Sequence, residues 1–275
     1  MAIQMNLAFD FGITNTDIVS SDNGTMDYFS FPSESVTDES LKKFLNSLKL
    51  DISKINKIAV TGGKSSDLSD SLLNIPVIKV NEVDAIGYGA KELYKITDSE
   101  FLAVSTGTGT ACIGLINNEF KHLGGISVGG GTLQGLSNLL FNEVDSEIIN
   151  KLATEGNRSE LDALIGEVVN NIGSLHPNVT ASNFAKARIS NNFSDEDLAS
   201  SLANMVGEVI GTISYLNAML IGVNKAYYVG RVSQLEGVKK GLDARLKLAN
   251  IGGQYNDRQG FGNAIGAIAY LNANT

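Results

Sequence analysis

A disulfide framework is excluded, because the chain of 275 residues holds a single cysteine, Cys112, inside a predicted strand. Long apolar runs are missing too: nothing approaches the roughly 18 consecutive apolar residues that a membrane helix needs. No basic-then-apolar leader is seen, and Met1 to Met5 leads straight into a strand. A cytoplasmic protein is the expectation from these absences. Basic charge is also in short supply, with 21 Lys and Arg against 30 Asp and Glu and a net charge of −9. That balance argues against a nucleic-acid partner, which calls for a basic face. It leaves nucleotides open, since an acidic protein can hold a polyphosphate through backbone amides, helix N-termini and a divalent cation. No low-complexity linker interrupts the chain.

Glycine, by contrast, is abundant: there are 29, and they cluster in turns. The richest cluster lies between two apolar runs, Phe101 to Val104 and Ala111 to Ile116, each with the character of a buried strand. Between them, Ser105 to Thr110 alternates Thr with Gly. Gly107 and Gly109 let backbone N–H groups approach a ligand, and Thr106, Thr108 and Thr110 add hydroxyls. Such a turn can cradle a phosphate without a cationic side chain, although an ordinary Gly-rich hairpin fits the same residues. A similar unit stands at residues 7–20, where Leu7 to Phe11 runs into Gly12, Ile13, Thr14, Asn15 and Thr16 before Asp17 to Ser20 resumes an extended pattern. Asp10 sits at its mouth. A carboxylate ending a buried strand needs a cation or hydrogen-bond donors, and either magnesium held through water or a turn-stabilising bond would serve.

Taken in order, Tyr28 to Pro32 reads as a third strand and Asp38 to Leu50 as a helix, with Leu41, Phe44, Leu45 and Leu48 on one stripe. Lys57 to Val60 is a strand entering Thr61-Gly62-Gly63, and a helix is expected through Leu68 and Leu72. Ile75 to Val80 is a strand; Ile86 to Tyr94 is a helix. Between these, Glu82 and Asp84 offer carboxylates at a strand end, and one of them is expected to face a site. A carboxylate is the usual base toward a hydroxyl acceptor in phosphoryl transfer, while acids also simply favour a helix start. Gly129-Gly130-Gly131 enters an apolar helix, as a helix N-terminus approaching an anion requires. Asp145 to Gly173 reads as polar helices. Ser194 with Asp197 starts a long helix striped by Leu198, Leu202, Val206, Ile210, Ile213 and Leu216, as a core spine or a dimer contact. A strand ending at Gly230 and Arg231, a helix from Leu235 to Leu242 and a small-residue helix through Gly260 to Ala269 complete the chain.

These motifs, in this order, resemble the type II pantothenate kinases of the actin-like ATPase and sugar kinase superfamily. The matching segments are Phe9 to Thr14, Val60 to Gly63, Glu82 to Ala85, Thr106 to Thr110, Gly124 to Ile126, Gly129 to Leu136 and Gly262 to Ala267. The resemblance implies a two-lobed, ribonuclease H-like α/β fold with duplicated mixed sheets, here residues 1–97 and 98–275. It implies ATP as phosphoryl donor, magnesium organised by Asp10, and Glu82 as base. Thr108, Gly125 and position 122 would face the acceptor. Gly12, Thr14, Gly107, Gly109, Thr110, Gly129, Gly130 and Gly131 would hold nucleotide and phosphates, with Gly230 near the adenosine. The acceptor would be pantothenate, in the first committed step toward coenzyme A, and the protein a homodimer with the long helix at its interface. The chain departs from the pattern in three places. Its first loop lacks a second glycine, Asp17 stands where the family has lysine, and His122 stands where it has an arginine aimed at the acceptor. A neutral imidazole cannot make a guanidinium's bidentate contact with a carboxylate. A kinase of another hydroxyl acceptor, marked by His122, and a nucleotide-binding regulator, suggested by Asp17, are therefore the alternatives.

Overall fold

The computed structural model describes residues 5–170, 176–190 and 192–274. Two mixed sheets organise it. The first is built from β1 (Met5–Phe11), β2 (Asn15–Asp22) and β3 (Thr25–Pro32), followed by α1 (Asp38–Ser47), β4 (Ile55–Thr61), β5 (Ser71–Leu72) and β6 (Ile75–Lys79), in the order β3-β2-β1-β4-β6-β5. Helix α2 (Glu82–Tyr94) leads to the second, which begins with β7 (Phe101–Thr106), β8 (Thr110–Ile116) and β9 (Glu119–Ile126). Then come α3 (Gly130–Phe141), α4 (Ser146–Glu155), β10 (Ala163–Leu164), α5 (Ile165–Val168), β11 (Thr180–Ser182) and α6 (Asp195–Leu220). The chain closes with β12 (Lys225–Val229), α7 (Glu236–Leu248), β13 (Gly252–Gln254) and α8 (Gly262–Ala273). The second sheet runs β13-β12-β7-β8-β9. In both sheets an antiparallel meander is extended by parallel strands beside its first strand, β4 beside β1 and β12 beside β7, so the repetition seen in the two hairpins extends to whole sheets. No described helix is long and apolar enough to cross a membrane.

Side-chain size decides what covers each face. Leu7, Phe9 and Phe11 of β1, with Ile58 and Val60 of β4, pack against Leu41, Phe44 and Leu45 of α1. On the opposite face the row is Ala8, Val19 and Ala59, small enough for α8 to lie close, with Ala264, Ile265 and Ile268 filling the gap. Helix α2 packs on α8 through Ala85 and on the second sheet through Ile86 and Ala90. The chain's last helix therefore belongs to the core of the first sheet. Helix α6 is the spine of the other core, with Leu202, Val206 and Ile210 fully buried and Gly207 and Gly211 against the backbone of α7.

Three local expectations change. The helix through Leu68 and Leu72 is a 3₁₀ turn, Ser65–Asp67, followed by strand β5, because left-handed Leu73 and Asn74 reverse the chain into an antiparallel pair with β6. Helix α2 starts four residues before Ile86, at Glu82, because the Asn81 side chain accepts the Asp84 N–H at 2.9 Å and caps the earlier turn. The polar helices expected over Asp145 to Gly173 reduce to α4 and the single turn α5; residues 171–173 of that stretch lie outside the described residues. Helix α4 stops at Gly156, whose α-carbon faces the Glu196 carbonyl, and the chain then turns so that buried Asp162 can accept from the Ser201 hydroxyl and the Phe184 N–H.

The α2–α8 crossing is a backbone contact: a Cβ on Gly266 would stand 1.8 Å from the Ala85 carbonyl, and one on Gly89 2.1 Å from that of Gly262. Gly266→Ala is expected to destabilise the fold by about 2–4 kcal/mol in urea titration, by overpacking rigid backbone. Gly135→Ala, on α3 with nothing within 4 Å of the new methyl, is expected to be neutral or slightly stabilising through helix propensity.

Candidate active site

A cleft of about 1030 Å³ opens where the two meanders face each other. Its walls are the β1–β2 turn, Gly62 and Gly63 after β4, Glu82, the β7–β8 turn, the end of β9, the start of α3 and the chain after β12. Each hairpin turn is closed by a backbone bond from its first glycine, the Gly12 N–H donating to the Asn15 carbonyl across four residues and that of Gly107 to the Gly109 carbonyl across three, both at 3.0 Å. Gly12, Thr14, Gly107, Thr108, Gly109, Thr110, His122, Gly125, Gly130, Gly131 and Gly230 all line the cleft, together with Asp10 and Glu82. The fold thus brings together, from both halves of the chain, residues that the sequence marks as site candidates.

Gly129 is the exception. It is buried and does not line the cleft, because its α-carbon packs on the β7–β8 turn, where a Cβ would be 2.7 Å from the carbonyls of Gly107 and Thr108. The N–H groups of Gly130 and Gly131 donate to those same two carbonyls at 2.8 and 3.0 Å. These amides are engaged by the turn, so the glycine run seats α3 against the loop instead of offering its first N–H groups to an anion. The Thr110 hydroxyl is engaged likewise, donating to the Val128 carbonyl at 2.8 Å. Of the two acids after β6, Glu82 lines the cleft, whereas Asp84 accepts from the Asn81 side chain and helps fix the helix start.

Asp10 stands at the cleft floor. Its strand register places it directly opposite Asp17 on β2 and beside Thr61 on β4, and left-handed Gly62 passes so close that a Cβ there would be 2.6 Å from its carboxylate. Burial, foremost, pushes the Asp10 carboxyl up to about 7; Asp17 and then Glu82 add repulsion, against a hydrogen bond from Asn263 and the charge of Arg231. Asp17 is nearly fully buried and answers its charge locally. Arg231 donates to both its oxygens at 2.6 Å, and the Ser30 hydroxyl donates at 2.7 Å. The Arg231 guanidinium lies over the Phe261 ring, 5.4 Å from its centre.

Arg231 and Asn263 were not singled out from sequence. A signal existed for the first: an acid in a buried strand demands a cation, and Asp17 has no basic neighbour in its own segment. Asn263 lies in the matching segment Gly262 to Ala267, which carries no role for it in sequence; it reaches Asp10 because the α8 N-terminus abuts the cleft.

The residues fit a magnesium ion of the kind held by one carboxylate and a nucleotide's phosphates. Three carboxylates share one floor, the Asp10 carboxyl raised chiefly by burial and further by its two neighbours, and the adjacent Thr61 hydroxyl is buried without a partner. Among the described residues no group of three or more ligating side chains could hold a metal by itself.

Two mixed sheets of like topology, with helices against them, are the α/β fold of actin-like ATPase and ROK kinase structures. The structure is similar to the activator of the 2-hydroxyisocaproyl-CoA dehydratase from Clostridium difficile with bound ADPNP, with a TM-score of 0.69 and 18% identity, covering 97% of this chain and 94% of that one. It is similar also to a ROK family glucokinase from Streptomyces griseus in complex with glucose and AMPPNP, with a TM-score of 0.57, 13% identity and coverage of 97% and 98%. The family model Fumble matches residues 92–238. The chain is 32% identical over 234 residues to the type II pantothenate kinase of Bacillus anthracis, covering 78% of this chain and 81% of that one. It is 35% identical over 182 residues to that of Bacillus cereus strain G9842, with coverage of 64% and 67%. The chain belongs to the type II pantothenate kinase family.

The raised Asp10 carboxyl predicts a pH dependence. Its folded value lies above the unfolded 3.8, so the stability it contributes is full below about pH 4 and is lost as pH rises through about 7. Without divalent cation or nucleotide, Asp10→Asn is expected to melt above wild type at pH 8, by about 1–3 kcal/mol. The advantage is expected to shrink toward pH 5. A difference independent of pH in calorimetry contradicts this origin.

Proposed function

We propose that the chain is an ATP-dependent kinase that converts pantothenate to 4′-phosphopantothenate, the first step of coenzyme A biosynthesis. Family membership supports the activity. The observation that carries the mechanism is the convergence of Glu82 and Asp10 with both glycine turns on one cleft. Glu82 takes the proton of the acceptor hydroxyl as its oxygen forms the bond to the γ-phosphorus and the bond to ADP breaks. The hairpin turns carrying Gly12, Thr14, Gly107 and Gly109 hold the phosphates, with Thr110, Gly130 and Gly131 bracing the second turn from behind, and Gly230 faces the adenosine. Magnesium, held through water by Asp10, would supply charge neutralisation on the phosphates. Thr108, Gly125 and His122 form the acceptor side.

The reading extends to two lobes, residues 1–97 and 98–275, with α8 returning to brace the first. It extends also to a cytoplasmic homodimer. The exposed Leu216, Met219 and Leu220 at the end of α6 are compatible with an interface role for that helix. A purely regulatory nucleotide-binding protein is less well supported, because Arg231 neutralises the Asp17 charge that suggested it. A kinase of another hydroxyl acceptor keeps one argument, the exposed imidazole of His122 in the place of a guanidinium.

Pantothenate-dependent release of ADP from ATP is the direct test; release that responds instead to another small alcohol would name a different acceptor. Glu82→Gln is expected to lower turnover by about 10²–10⁴-fold with ATP affinity within about twofold of wild type. His122→Arg is expected to lower the KM for pantothenate about tenfold by adding a charge-assisted pair to its carboxylate. An unchanged KM places the carboxylate elsewhere.

A further inference from the structure

A polyphosphate entering this cleft meets three carboxylates, Asp10, Asp17 and Glu82, and among the described residues lining it Arg231 is the only lysine or arginine. The mount of that arginine is rigid. Gly230, at φ +89, passes so near the end of β7 that a Cβ would be 2.5 Å from the Thr106 carbonyl. The Gly230 N–H donates to the Gln259 carbonyl at 2.7 Å, and the fully buried Gln259 side chain donates back to the Gly230 carbonyl at 3.0 Å and to Ser233 at 2.7 Å. The guanidinium then crosses to the first sheet, where Asp17 and Ser30 take three of its five N–H groups. Two remain, the Nε–H and one on Nη1, on a side chain that is 40% exposed while its partner Asp17 is 5% exposed.

We propose that Arg231 is a nucleotide phosphate-binding residue and Asp17 the residue that positions it, so that the fixed positive charge of the site reaches the first loop from the opposite sheet. The inference rests on the kinase reading and deepens it by naming what the protein uses to favour polyphosphate over nucleoside. A carboxylate aligning a guanidinium through a two-point contact leaves its outer edge pre-oriented, which lowers the cost of fixing it on ligand. The competing account is a strut joining the two sheets with no part in binding.

Phosphate number separates the two. Calorimetric titration of the full chain with ATP, ADP, AMP and adenosine, in magnesium, is compared for wild type, R231Q and R231K. R231Q is expected to weaken ATP about 10–100-fold, ADP by a similar or smaller factor, and adenosine by less than about twofold. R231K, which keeps the charge and loses the fork, is expected to fall between and carries the test should R231Q fail to fold. R258Q, whose guanidinium lies over Tyr28 outside the cleft lining, is expected to bind ATP as wild type does. Equal losses for adenosine and ATP, or unaltered ATP affinity in R231Q and R231K, overturn the proposal in favour of the strut. Absence of ATP binding to the wild-type chain overturns the kinase reading and this inference with it, which distinguishes the two failures.

Discussion

The crossing of α2 and α8 at backbone distance is the constraint on which the site depends. Glycines at 89, 262 and 266 and alanine at 85 let the helices touch without intervening side chains, and the small row Ala8, Val19 and Ala59 lets α8 sit down on the first sheet. Because α2 also covers the second sheet through Ile86 and Ala90, one helix fixes both halves of the molecule relative to each other. The N-terminal ends of α2 and α8 are thereby aimed at one place. The first delivers Glu82 to the cleft and the second delivers Asn263 to Asp10. A wider crossing, as larger residues would impose, would move the proposed base away from the proposed metal-organising acid.

The second organising element is unpaired negative charge. Directly opposed like charges on neighbouring strands are destabilising, yet Asp10 and Asp17 face each other in register. The fold resolves this asymmetrically. Asp17 is neutralised by an arginine from the other sheet, while Asp10 is left in need of a cation, its carboxyl pushed up by burial and by its neighbours. Instability retained at one residue of a cleft, while the adjacent residue is fully satisfied, is the pattern expected where a ligand supplies the missing charge.

Much of this was legible in the sequence, because the features that specify a glycine-turned hairpin are local. Apolar strands flanking Gly12 and Gly107 mark both turns and place Asp10 at a strand end; the residues alone leave Glu82 and Asp84 as equal candidates, and the family resemblance selects Glu82. What was not legible depended on tertiary proximity. The triple glycine at the start of α3 reads as an anion site, but the amides of Gly130 and Gly131 are each taken by a carbonyl 23 residues earlier in the chain. The leucines at 68 and 72 have helical spacing, yet the left-handed Leu73 and Asn74 make a hairpin. Asp17 reads as a charge out of place in the first loop; its partner, Arg231, lies 214 residues away.

On this reading the cleft passes the terminal phosphate of ATP to pantothenate. That transfer is tested most directly by incubating the purified chain with magnesium, pantothenate and ATP labelled in the γ-phosphate. The label is expected in 4′-phosphopantothenate. Label released only as inorganic phosphate, or retained in ATP that the protein nonetheless binds, contradicts it.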